Sequence, residues 1–101
     1  MSAVQEFFEG LPSRVTPERI AGMNNTYVFD IDGAGVWTVK IADGAISVNE
    51  GAEDADCTFS TSEESFEKIV AGEQNPTTAY MTGKLKIKGD MGAAMKLQKI
   101  F

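Results

Sequence analysis

The chain has 101 residues, 43% hydrophobic and 24% charged, with 15 acidic side chains against 9 basic ones and no histidine. That length suits a single domain over residues 1–101 with one core, and the composition is that of a folded globule. A formal charge of −6 argues against a general nucleic-acid binder, which needs a basic footprint. No apolar run approaches the ~20 residues that span a bilayer.

The opening residues, Met1-Ser2-Ala3-Val4-Gln5-Glu6, lack the basic start and apolar stretch of a signal peptide. Cys57 is the single cysteine and cannot form an internal disulfide. Both features point to a reducing, cytoplasmic setting.

Val4, Phe7, Phe8 and Leu11 recur at spacings of three and four, which predicts a first helix ending near Gly10 and Pro12. Thr16-Pro17 supplies a cap and a first-turn proline for a short second helix carrying Ile20 and Met23. The period changes to two at Thr26. Tyr27, Phe29 and Ile31, then Trp37, Val39 and Ile41, then Ile46 and Val48 alternate with smaller or polar residues, as half-buried strands do.

Asp43-Gly44 reads as a two-residue hairpin turn that pairs Ile41 with Ile46 and Val39 with Val48. A three-residue turn at Gly33-Ala34-Gly35 would pair Ile31 with Trp37 and Phe29 with Val39. A slip of one residue would bury Asp30 opposite Trp37.

A fourth strand is predicted over 55–61, with Cys57 and Phe59 facing inward. Thr61 and Glu64 form a capping box for a helix through Phe66, Ile69 and Val70, stopped at Gly72. Asn75-Pro76 opens a short helix with Ala79, Tyr80 and Met81, closed by Gly83. Lys84-Leu85-Lys86-Ile87-Lys88 is a fifth strand, and Asp90 caps a last helix whose apolar side carries Met91, Ala94, Met95 and Phe101. One sheet face is rich in large apolar side chains and the other is polar, so the helices should share one face in a two-layer α+β domain.

Catalytic signals are weak. Without histidine there is no Ser-His-Asp or Cys-His pair and none of the commonest metal ligand. Ser65-Phe66-Glu67-Lys68 fits an S-x-x-K pattern but lacks its companion motifs. Asp30-Ile31-Asp32-Gly33 places its glycine too early for a calcium loop. No catalytic residue, metal or cofactor is expected. Lys84, Lys86 and Lys88 protect a sheet edge from pairing, or attract anionic head groups.

The order of elements resembles the sterol carrier protein type 2 family. The residues that carry the resemblance are Gly44-Ala45-Ile46-Ser47-Val48, Ala55-Asp56-Cys57-Thr58-Phe59 and Gly83-Lys84-Leu85-Lys86-Ile87-Lys88-Gly89-Asp90 with the helix after them. It implies a five-stranded sheet covered by helices on one face, with a hydrophobic tunnel between the layers. It also implies non-enzymatic binding and transfer of fatty acids, acyl-coenzyme A, sterols or phospholipids. The ending Lys99-Ile100-Phe101 differs from the Ser-Lys-Leu type of peroxisomal members.

Pattern alone explains the inward aromatic and methionine residues equally well as ordinary core. Under the resemblance, Phe29, Trp37, Val39, Phe59, Leu85 and Ile87 form one wall of a lipid site, and Phe8, Leu11, Phe66, Ile69, Val70, Met81 and Met95 the other. The implied partners are a fatty acyl or other lipid ligand and, transiently, a membrane surface. The rival reading is an accessory interaction module of a lipid-pathway enzyme. An open tunnel of about 300 Å³ would cost roughly 7 kcal/mol at about 24 cal/mol per Å³. The isolated protein should therefore either retain a lipid from its host or partly collapse, with Met81 and Met95 filling space.

Overall fold

The computed structural model describes residues 3–97. Helix α1 (Ala3–Arg14) buries Val4, Phe7, Phe8 and Leu11. It runs through Gly10 and Pro12, where the sequence predicted its end. The apolar stripe explains the difference, because its spacing continues to Val15, which is also buried and whose N–H donates to the Leu11 carbonyl at 3.3 Å. Seating those side chains, at about 1.5–3 kcal/mol each, outweighs one interior proline.

The predicted second helix is instead a run of tight turns. Arg19 N–H donates to Thr16 O at 3.0 Å, Ile20 N–H to Pro17 O at 3.3 Å and Met23 N–H to Ile20 O at 3.0 Å. Ile20 and Met23 are nonetheless buried.

Strands β1 (Asn25–Asp32), β2 (Gly35–Ala42), β3 (Ala45–Glu50), β4 (Cys57–Ser62) and β5 (Leu85–Gly89) form one mixed sheet in the order β3-β2-β1-β4-β5. The β1–β4 pair is parallel and the others are antiparallel. Helices α1, α2 (Glu63–Val70), α3 (Pro76–Met81) and α4 (Met91–Leu97) pack on this sheet in an α+β fold.

The β2–β3 hairpin has the expected register, Ile41 with Ile46 and Val39 with Val48. Asp43 and Gly44 turn the chain with φ of 52° and 74°, the left-handed pair of a type I′ turn. The β1–β2 register differs from expectation by two residues: Phe29 faces Trp37, Tyr27 faces Val39 and Ile31 faces Gly35. The inward face is the same, since a two-residue shift preserves it. Gly35 makes room for this register. A side chain there would press on the Trp37 indole at 3.3 Å.

Two more expectations need correction. Ser62, not Thr61, caps α2 and accepts a hydrogen bond from Ser65 N–H at 3.2 Å. Thr61 faces inward, is buried and donates its hydroxyl to the Lys84 carbonyl at 2.8 Å, tying β4 to the start of β5. Helix α4 buries Ala93, Ala94 and Leu97 and exposes Met91 and Met95. The alanines let its backbone come close enough for Tyr27 Oη to donate to Ala93 O at 2.6 Å. Phe101, assigned to the apolar side of that helix, lies outside the described residues.

The outer face of the sheet is polar but partly covered. The connection from β3 to β4 crosses it: Thr38 Oγ1 donates to Gly51 O at 2.6 Å, Lys40 pairs with Glu53 at 2.7 Å, and Thr26 N–H donates to Asp56 Oδ2 at 2.8 Å. Thr38 and Val28 are buried beneath it.

Candidate functional site

The inner face carries a row of large side chains across four strands: Trp37, Phe29, Phe59 and Ile87, in register. Phe29 and Phe59 stack at 5.1 Å between ring centroids. The β3 end of this row is filled. Phe8 from α1 stacks on Trp37 at 4.8 Å and on Phe66 of α2 at 5.4 Å, and Phe8 is fully buried.

At the other end, α2, α3 and α4 stand over β4 and β5 and leave a partly open apolar cavity of about 50 Å³. Its walls are Phe29, Phe59, Thr61, Leu85 and Ile87 from the sheet, Phe66 and Ile69 from α2, Pro76 from α3, and Ala94 and Leu97 from α4. Thr61 contributes the one side-chain polar group, and its hydroxyl already serves the Lys84 carbonyl.

Local sequence builds this end. Asn75 Oδ1 accepts from the N–H groups of Thr77 and Thr78 at 2.8 and 3.3 Å and sets Pro76 in the first turn of α3. Asp90 Oδ1 likewise accepts from Gly92 and Ala93 at 2.8 and 3.3 Å and starts α4. The buried Tyr27 phenol then anchors that helix to the sheet.

The residues assigned to the lipid site from the sequence separate into four groups. Phe29, Phe59, Phe66, Ile69, Leu85 and Ile87 meet around the cavity. Phe8, Leu11, Trp37 and Val39 are buried in the packed core beside it, while Val70 lines a surface groove between α1 and α2. Met81 and Met95 were expected in the wall and lie at the surface, 79% and 67% exposed. Thr61, Pro76, Ala94 and Leu97 complete the lining. Ala94 had been placed on the apolar side of α4, and the step of three from it to Leu97 was the available signal for a second lining residue.

Nothing in this cavity resembles reaction chemistry. Cys57, beside it on β4, is buried, and burial, aided by Asp90 and Asp56, pushes its thiol up to about 11, so it stays protonated at neutral pH. Lys68 of the S-x-x-K pattern pairs with Glu64 at 3.2 Å. Among the described residues, no helix is long and apolar enough to cross a membrane.

Family comparison agrees with this architecture: the SCP-2 sterol transfer family matches residues 4–101. The chain belongs to that family. Hydroxysteroid dehydrogenase-like protein 2 of Danio rerio is 39% identical over 96% of this chain, which spans only 24% of that relative. The SCP-2 fold recurs in the sterol carrier protein domain 2 of Helicoverpa armigera, at a TM-score of 0.79 and 31% identity, covering 93% of this chain and 81% of that one. It recurs also in the palmitated SCP2-like 2 protein of Aedes aegypti, at a TM-score of 0.75 and 19% identity, covering 99% and 94%.

Proposed function

We propose that the protein is a non-enzymatic lipid carrier that takes an acyl chain or sterol ring system into the cavity between the sheet and α2, α3 and α4. The lining carries the reading. It offers a ligand apolar surface and a single side-chain hydroxyl, that of Thr61, whose proton is already given to the Lys84 carbonyl. Such a site holds its guest by burial, at about 0.8 kcal/mol per methylene, and tolerates many guests of similar bulk. The SCP-2 membership and the palmitated state of the Aedes aegypti neighbour agree with a fatty acyl ligand.

Displacement of a fluorescent fatty acid by unlabelled palmitate tests this. Saturable displacement is expected for the intact chain. Phe66→Asp should weaken it by more than tenfold, because an unpaired carboxylate in an apolar wall costs several kcal/mol, whereas the exposed Lys86→Ala should change it little. Absence of saturable binding with any acyl ligand would sink the proposal.

The second reading makes the same fold the lipid-holding part of a larger enzyme, and it is favoured by the chain's match to only 24% of the length of the dehydrogenase-like relative. Under it the cavity should bind the enzyme's apolar substrate in preference to simple fatty acids.

A further inference from the structure

The inward side chains of β1, β4 and β5 stand in three layers across the sheet. Tyr27, Cys57 and Gly89 share one layer, Phe29, Phe59 and Ile87 the next, and Ile31, Thr61 and Leu85 the third. Helix α4 closes the first, where the Tyr27 hydroxyl donates to Ala93 O at 2.6 Å. The cavity lies over the other two, so Thr61 stands at the end of its sheet wall away from that bond.

Among the described residues, the cavity walls hold no charged side chain, and Thr61 brings their one side-chain hydroxyl. A hydroxyl has one proton to give and two lone pairs that accept. Thr61 is 7% exposed, and its Oγ1 gives the proton to Lys84 O at 2.8 Å. Turning that proton toward a guest would strip the Lys84 carbonyl of its donor, so one bond would be lost for the one gained. Toward a guest, Oγ1 is thus an acceptor only. A carboxylate, an ester or an ether brings no proton and meets it lone pair against lone pair. A carboxylate also gives up its hydration with no cation in these walls to replace it. An alcohol escapes both penalties, because it is neutral and its proton suits the open lone pair.

We propose that Thr61 is the specificity-determining residue of this cavity, accepting a hydrogen bond from the hydroxyl of a long-chain alcohol bound head inward. A fatty acid uses the same space only with its chain inside and its carboxylate left in water at the mouth. This selectivity rests on the lipid-carrier reading for its ligand. It is measured as a difference between head groups, on which that reading is silent.

Displacement of a fluorescent fatty acid by 1-tetradecanol, 1-fluorotetradecane and tetradecanoate tests this in the full chain, in Thr61→Val and in Thr61→Ser. Fluorine is close to the hydroxyl in bulk and gives no proton. Thr61→Val keeps the shape and removes the acceptor. It should weaken the alcohol about fivefold, the worth of one hydrogen bond, and shift the fluoride and the acid by less than about twofold. Thr61→Ser keeps the acceptor and should keep the alcohol's affinity relative to the fluoride. An alcohol affinity unchanged in Thr61→Val, or a loss shared equally by all three ligands, overturns the proposal. So does an alcohol that fails to displace the probe where palmitate succeeds. Should Thr61→Val not fold, nuclear Overhauser contacts in the intact chain decide. They should join the carbinol protons of 1-tetradecanol to the Thr61 methyl group, and finding the far end of the chain there instead overturns the proposal. Failure of palmitate to displace the probe from the intact chain would strike the carrier reading.

Discussion

Tyr27 and Cys57 face each other across the β1–β4 pair, both almost wholly buried. Burial pushes the phenol up to about 12, with Cys57, Asp56 and Asp90 adding to the rise, and pushes the thiol from 9.0 up to about 11. Both groups are neutral when unionised, so a raised value means that the folded state keeps its proton longer than the unfolded chain does. Their contribution is therefore fully present below about pH 9 and is lost as pH climbs through about 11 and 12. The urea midpoint should fall between about pH 8 and pH 11, and Cys57→Ala should flatten the first part of that fall. An unchanged pH profile in the variant would show that Cys57 does not contribute. Gly89 is the second sensitive position. Its φ is 110°, and a β-carbon would collide with the Asp56 carbonyl oxygen, whereas Gly51, at φ 101°, has open space around it. Gly51→Ala should cost only backbone strain, roughly 1–2 kcal/mol, and Gly89→Ala clearly more, by equilibrium denaturation. Equal losses would mean that β4 and the end of β5 shift apart easily.

At the scale of elements, alternation and turn chemistry made the strands legible, and the Asp43-Gly44 turn fixed the β2–β3 register outright. The β1–β2 register was not legible to better than two residues, because alternation settles only which side chains face inward. In the observed register the Trp37 indole lies against Gly35, a close approach that no periodicity records. The cavity was half legible for a similar reason. The resemblance put Met81 and Met95 in the wall, but the hydrogen bond from Tyr27 holds the alanine side of α4 to the sheet, with Met91 and Met95 turned out. The crossing of the outer face by residues 51–56 gave no pattern to read. It hangs on a few polar contacts, of which the bond from fully buried Thr38 to Gly51 O is the most enclosed. Thr38→Val keeps the shape and removes that bond, at about 1 kcal/mol. Limited proteolysis within 51–56 should accelerate in this variant while the hairpins stay protected. Unchanged cleavage would mean that the remaining contacts, Lys40–Glu53, Thr26–Asp56 and the backbone bonds of Gly51 and Asp56 to Val36 and Thr26, suffice to hold the connection.

At the scale of the whole molecule, the balance between core and cavity sets how a lipid could enter. A cavity of about 50 Å³ costs only about 1 kcal/mol at roughly 24 cal/mol per Å³, so this state needs no guest to be stable. A bound acyl chain needs about 300 Å³ or more, and some wall must then move. Helix α1 is pinned by four buried side chains, the stacked Phe8 among them. Helices α3 and α4 have six and seven residues, and α3 buries only Ala79. They should therefore yield before α1 does. Every ligand then meets the same opening penalty, while the return grows by about 0.8 kcal/mol per buried methylene. Affinity should consequently show a threshold: a C8 acid should fail to bind, a C12 acid should bind weakly, and a C16 acid should bind well and raise the melting temperature by mass action. Hydrogen exchange should change in α3, β5 and α4 on binding and stay constant in β2 and β3. Equal affinities for C8 and C16 acids, or exchange changes spread evenly over the sheet, would show that the ligand does not enter by displacing these two helices.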